Sequence, residues 1–428
     1  MIKGLQELGH EIELVSLYLP LFPEEKNACT TSPLFLGGVN LYLQEKSAFF
    51  RALPPNIDSS LSNPGFLKRV SEIWNHTDPA DLGPLTISTL KGEQGNQRKE
   101  IERLTSWLEE QEPPEAVLLS NIMLLGLAAP LRRALKVPIY CTLQGEEPFL
   151  DALPEPYRSQ SWNLLQELSM EADRLIAVSS SYGARMRKRL NLSREKVAIA
   201  LNGIDLEGFP EEPALRQEQS EHPRIGYLAH IREYKGARRL VRAFITLSKN
   251  LEDQGSPLRP LLSLAGAVTK GDESFIEALK SELVSAGFSD RVEFLPNIER
   301  DEKLRFLSSL SLCCVPSDES EAFGLFTLEA LASGVPVLMP NYAANPEILA
   351  ASGGGILYDP KKENGLAEAL YEAVQAPEKL AKLGREGAAG VRKNFRAKHM
   401  AERVLEAMVP ETQRVDISDT PMKRSQSH

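Results

Sequence analysis

Hydrophobic positions along this chain fall into short blocks separated by amphipathic stretches. Between residues 115 and 200 the apolar runs AVLLS, VPIYCTL, RLIAVS and KVAIAL have strand length, and helix-like stretches such as LGLAAPLRRAL and SYGARMRKRL lie between them. Strands alternating with helices predict a parallel sheet, because a parallel pair needs a long crossover that a helix supplies. The alternation returns after residue 224, with strands RIGYLA, PLLSLAG, VEFLP, LSLCCVP and VPVLM and helices over 237–249, 272–286, 300–308 and 324–333. The expected architecture is α/β: two doubly wound units, residues 1–209 and 224–394, joined by the linker 210–223, PEEPALRQEQSEHP, which has no apolar periodicity. Residues 364–409 read as almost wholly helical, and the last part, 395–409, is expected to pack back on the first unit. Residues 410–428 are polar and aperiodic and read as a disordered tail.

The N-terminus breaks the pattern. MIKGLQELGH reads as a helix stopped by Gly9, followed by a strand EIELVSL over 11–17. A doubly wound unit begins instead with a strand, a glycine-rich turn and then a helix, and that first strand lies centrally in the sheet. Losing it would leave unpaired backbone groups on two neighbours. The expectation is therefore that the natural start lies upstream of Met1, or else that another segment, such as the irregular stretch 52–97, fills the gap.

Composition narrows the class. A chain of 428 residues, 42% hydrophobic and 25% charged, suits two ordinary cores, and a net charge of -10 disfavours nucleic acid as a partner. The four cysteines, with Cys313 and Cys314 adjacent, fit neither a disulfide ladder nor zinc spacing and read as buried thiols in a reducing compartment. No window approaches the ~18 to 20 apolar residues of a spanning helix, and no signal peptide is seen. A cytoplasmic location is expected, with peripheral membrane contact left open.

The segment 316–349, PSDESEAFGLFTLEALASGVPVLMPNYAANPEIL, is the richest in chemistry. Glu321 lies in a loop, the turn Phe323, Gly324, Leu325 opens a helix, and Glu329 stands about one turn inside it. A helix N-terminus favours anions by ~0.3 to 1 kcal/mol, and a glycine there lets a ligand approach the backbone. A diphosphate would suit that terminus, and sugar or ribose hydroxyls would suit the carboxylates beside it. Taken alone, the two glutamates read more simply as stabilising acids at a helix start. GYLAHIREYKG, residues 226–236, changes that reading, because His230, Arg232 and Lys235 then follow a strand end where an α/β crevice opens and can neutralise a diphosphate. A solvated basic loop is the alternative. In FLGGVNLYLQEK, Gly37 and Gly38 precede a helix bearing Asn40, which is either an acceptor-side or phosphate-side terminus or a plain turn. Trp74, Trp107 and Trp162 read as core.

With NGIDLEGF, ADRLIAVSSSY and GVPVL, these segments resemble the retaining glycosyltransferases of family 4 over nearly the whole chain. The most specific element is Glu321 and Glu329 in EAFGLFTLE, followed by GVPV and by Glu347 in NPE. The resemblance implies the GT-B fold, two Rossmann-like domains facing across a cleft, with the donor held mainly by the C-terminal one. It implies a UDP-, GDP- or ADP-sugar donor, a carbohydrate or other hydroxyl acceptor, no cofactor and no metal; the chain has no Asp-x-Asp pair and its histidines are scattered. Carried onto this chain, Glu321 lies by the donor sugar, Glu329 accepts from the ribose, Lys235 contacts the diphosphate, and the Gly324 and Leu325 amides complete the cradle. Two positions depart from the pattern. His230 stands where many members have an arginine, with Arg232 nearby, and Gln144 and Gly145 stand where members carry His-Gly or His-Asp on the acceptor side. Glutamine can position a hydroxyl but cannot exchange a proton. A catalytically impaired nucleotide-sugar binder and a GT-B epimerase remain alternatives.

Overall fold

The structure, a computed structural model, describes residues 1–15, 17, 35, 79–212, 221–318 and 321–409. Four strands of the first half, β1 (Val117–Leu119), β2 (Ile139–Leu143), β3 (Arg174–Ala177) and β4 (Val197–Ile199), form a parallel sheet in chain order. Six strands of the second half are β5 (Arg224–Leu228), β6 (Leu261–Gly266), β7 (Val292–Pro296), β8 (Leu312–Cys314), β9 (Val337–Pro340) and β10 (Gly355–Tyr358). They too run parallel, in the order β10-β9-β8-β5-β6-β7. Helices cover both faces of such sheets, so central strands become continuous apolar runs; every residue of β2, β3 and β9 is buried.

The order of the second sheet fixes where a ligand can enter. β5, its first strand, pairs with both β6 and β8, so the winding reverses between β5 and β8. Doubly wound sheets take ligands in the crevice at the carboxyl ends of the strands where the winding reverses, which here is beside the ends of β5 and β8.

The chain then crosses back to the first sheet. The helix Pro377–Asn394 packs on the second unit, whereas the helix Ala397–Met408 lies on β3 and β4. Buried Arg174 donates to the Ala407 and Val409 carbonyls, each at 3.0 Å, and the Tyr140 hydroxyl donates to the Met408 carbonyl at 2.7 Å. Ile204 and the 395–397 turn bond in both directions: the Ile204 N–H to the Phe395 carbonyl at 2.8 Å, and the Ala397 N–H to the Ile204 carbonyl at 2.9 Å.

Three expectations need correction. Residues 11–15 are not in a strand, and Leu17 makes an isolated parallel bridge to Phe35; apolar alternation is a local signal, whereas a strand is defined by its backbone pairing along a ladder. Part of the stretch expected to be irregular is the helix Pro79–Leu90, which Gly83 and Pro84 disguise as a breaker while Ile87 and Leu90 bury against the core. A helix Arg98–Glu109 follows it. The strand β10 went unread because it is four residues long and follows consecutive glycines.

Trp107 and Trp162 are partly buried against the core, and Cys313 and Cys314 are buried free thiols. Burial pushes the Cys313 thiol up to about 12. Among the described residues no helix is long and apolar enough to cross a membrane. Gly37, Gly38, Asn40, Trp74, most of the linker, the tail 410–428 and most of the region bearing on the first strand lie outside the described residues.

Candidate functional site

The loops after β5 and β8 touch at the crevice. The Asp318 N–H donates to the Tyr234 carbonyl at 3.0 Å. Gly236 has φ +80°, and a Cβ on it would stand 1.9 Å from the Pro316 carbonyl oxygen, so only glycine allows this approach. Out of the two loops come Lys235 and Glu321, whose Nζ and Oε2 meet at 2.6 Å with side chains 22% and 13% exposed. Gly324, at φ +88°, opens the helix Leu325–Ala332, whose first N–H groups have no intrahelical acceptor. Phe323 and Gly324 are buried, which anchors the turn in the core, while Leu325 at the start of the helix is exposed. Further along that helix, Glu329 accepts from Lys303 of the helix Arg300–Ser309 at 2.8 Å. Each glutamate of the pair thus meets a lysine from a different element. Lys303 carries no sequence signal, because the contact is made only by folding.

His230 and Arg232 are not directed at the crevice alone. Both bind Asp272: His230 Nε2 lies 2.8 Å from Oδ2, and Arg232 Nε lies 2.6 Å from Oδ1. Burial works against an ionised Asp272, but the Thr269 hydroxyl and N–H, the Arg232 guanidinium and the His230 ring outweigh it and hold the carboxyl far below the ordinary range. The T-x-x-D spacing of Thr269 and Asp272, a reciprocal cap, was the signal available in the sequence. A carboxyl with a depressed pKa stabilises the fold above the unfolded value, near ~4, and that contribution is lost as pH falls through the folded value. Asp272→Asn is therefore expected to lower the melting temperature by a constant amount between pH 8 and 5, with the gap to wild type closing only below pH ~4. A gap that stayed open in strong acid would show that the ionised carboxylate is not what stabilises.

The first unit supplies the facing wall. Gln144 is exposed just after β2, and Gly145, at φ +109°, comes so close that a Cβ on it would lie 3.1 Å from the Ala322 Cβ. The N–H groups of Gln144 and Gly145 each donate to Glu146 Oε2 at 2.9 Å, and the Tyr182 hydroxyl donates to the same oxygen at 2.9 Å. Burial, then the Glu146 charge, raises the Tyr182 hydroxyl pKa well above the usual phenol range, so the hydroxyl stays protonated. Glu347 accepts from the Ser180 N–H across the domain boundary at 3.0 Å. Between the units lies a cleft of about 830 Å³ with Phe149 on one wall and Tyr234 on the other, both more than a third exposed.

Two family profiles match in succession: Glycosyltransferase Family 4 over residues 86–207 and Glycosyl transferases group 1 over residues 209–389. The chain belongs to the family 4 glycosyltransferases. Similar curated proteins are the D-inositol 3-phosphate glycosyltransferases of Rhodococcus opacus (strain B4), 29% identical with 59% of this chain and 56% of that one covered, and of Paenarthrobacter aurescens (strain TC1), 28% identical with 54% and 56% covered. This family 4 member thus spans about half the length of the curated relatives it matches. Among solved structures, sucrose-phosphate synthase from Thermosynechococcus elongatus is similar with a TM-score of 0.60 at 19% identity, covering 73% of this chain and 77% of that one. Anabaena Alr3699/HepE in complex with UDP and glucose is similar with a TM-score of 0.58 at 18% identity, covering 74% and 82%. The two parallel α/β units are accordingly those of the GT-B fold.

Proposed function

We propose that this family 4 member is a retaining, metal-independent glycosyltransferase that moves a hexose from a nucleoside-diphosphate sugar to an acceptor hydroxyl. The single observation that carries the reading is the Lys235–Glu321 pair, which bridges the β5 and β8 loops at the point where the sheet reverses, beside a helix N-terminus. As the bond from the anomeric carbon to the diphosphate breaks, negative charge grows on the leaving group. Lys235 and the first-turn N–H groups of Leu325–Ala332 stabilise it. The acceptor oxygen bonds to the anomeric carbon on the face the diphosphate leaves, and the acceptor proton passes to the leaving phosphate. No protein base is then required, which makes Gln144 compatible with turnover as a positioning group. Glu321 holds the donor sugar, and Glu329, with one oxygen on Lys303, offers the other to the ribose. His230 and Arg232, fixed by Asp272, flank the phosphates. UDP-sugars are the first donors to test, since the Anabaena neighbour holds UDP-glucose.

The acceptor enters through the cleft. Both arginines on its wall are paired, Arg185 with Glu147 at 2.7 Å and Arg232 with Asp272; Asp151 is held in turn by Arg189 at 2.9 Å, and Asp318 adds a further carboxylate. A neutral polyhydroxyl compound, its ring stacked on Phe149 or Tyr234, suits this wall better than the phosphorylated acceptor in the curated relatives' names.

Calorimetry with UDP-, GDP- and ADP-sugars, followed by turnover with the tightest one, tests the reading. Lys235→Ala is expected to weaken the nucleotide-sugar by about tenfold or more. Unchanged affinity would return Lys235 to a solvated loop, and tight binding without transfer or hydrolysis would leave a binder in place of an enzyme.

A further inference from the structure

The loop bearing Glu321 is held from the opposite side of the cleft. Ser179, wholly buried just after β3, is the N-cap of the helix Ser180–Arg189. Its Oγ accepts from the Tyr182 N–H at 3.2 Å and donates to the Ala322 carbonyl of the other domain at 2.6 Å. Ala322 directly follows Glu321, so this contact fixes the peptide next to the proposed donor carboxylate. At the same helix start Glu347 reaches across from the helix Asn345–Ser352, and both its oxygens accept from the Ser180 N–H, at 3.0 and 3.1 Å. A helix N-terminus is where a carboxylate is favoured, and here that carboxylate comes from the other domain. Tyr182 ties the arrangement to the acceptor side: its hydroxyl accepts from the Gly145 and Glu146 N–H groups at 3.1 and 3.2 Å, and Gly145 abuts Ala322.

We propose that Ser179 and Glu347 are positioning residues that latch the two domains closed and, by fixing Ala322, set the Glu321 carboxylate against Lys235. The inference rests on the reading of Glu321 as a donor-sugar residue. When the domains part, the Ser180 N–H loses its carboxylate and the Ala322 carbonyl its donor. The donor site is therefore complete only in the closed arrangement.

Substitutions at position 179 separate the cap from the latch. Aspartate caps a helix about as well as serine but cannot donate to the Ala322 carbonyl, whereas asparagine caps and can donate. Ser179→Asp is expected to enlarge the radius of gyration in solution scattering with UDP bound. It should also lower kcat at least about tenfold while leaving the UDP dissociation constant within about twofold and the melting temperature nearly unchanged. Ser179→Asn is expected to restore kcat to within about threefold, and Glu347→Gln to give an intermediate opening and loss. Wild-type scattering in both Ser179→Asp and Glu347→Gln would overturn the latch. Equal losses of kcat in Ser179→Asp and Ser179→Asn, each with a lowered melting temperature, would reduce Ser179 to a structural cap and overturn it equally. If wild type turned over no donor, the glycosyltransferase reading would fail, while the scattering comparison would still decide whether the domains are latched.

Discussion

Glu321→Ala is expected to lower sugar transfer at least about a hundredfold, ~2.7 kcal/mol in the barrier, with UDP affinity within a few-fold of wild type or tighter. The asymmetry follows from the pair it breaks. Glu321 lies 2.6 Å from Lys235, and both side chains are largely shielded from solvent. Removing the carboxylate takes away the group proposed to hold the donor sugar, yet it frees the ammonium for the diphosphate, so ground-state nucleotide binding need not suffer. Glu321→Gln should keep the shape and lose the charge, falling between wild type and alanine. Steady-state kcat and KM with one donor, alongside calorimetry with UDP, read out both halves. Near-normal kcat in the alanine variant would remove the assignment, and a large loss of UDP affinity would place Glu321 in nucleotide binding.

Gly236→Ala is expected to be among the most damaging single methyl groups in the second domain. The glycine has φ +80°, where a side chain costs ~1 to 3 kcal/mol, and the added Cβ would lie 1.9 Å from the Pro316 carbonyl oxygen, a backbone atom with no freedom to move aside. The β5 and β8 loops must separate, which draws Lys235 away from Glu321. At ~2 to 4 °C per kcal/mol for a domain of this size, a drop of roughly 5 to 10 °C in melting temperature is expected, with UDP affinity falling in parallel. Gly255→Ala is the control: φ there is also positive, at +64°, but nothing lies within 4 Å of the added carbon. It should cost only the backbone strain and leave UDP affinity alone. Equal effects of the two substitutions would show that the contact between the loops does not matter.

The alternation of apolar runs and amphipathic stretches was enough to expect two parallel α/β units, because the central strands are buried on both faces and the crossovers are helices of ordinary length. The glutamate spacing and the Lys-Gly after a strand were legible too, since both depend on residues adjacent in the chain. What escaped depends on folding. Lys303 meets Glu329 across 26 positions, Asp272 catches His230 across 42, and Ser179 meets Ala322 across 143, and no local pattern encodes such pairings. Asp272 changes the chemistry most. It pairs with both Arg232 and His230, where the sequence showed only a row of basic side chains. The helix Pro79–Leu90 escaped for a different reason: Pro84 is a breaker in isolation, and tertiary burial of Ile87 and Leu90 overrides it.

The reciprocal backbone bonds between Ile204 and the 395–397 turn place two passages of the chain side by side, one leading out of the first domain and one leading back. Two parallel tethers a few ångströms apart behave as a door hinge rather than a string. They permit swing about the line that joins them and resist twist and sliding. The facing walls therefore meet in one register each time they close, and the Ser179 hydroxyl returns to the same carbonyl. A cut in the linker would spoil this guidance without separating the halves, because the returning passage still holds them at high local concentration.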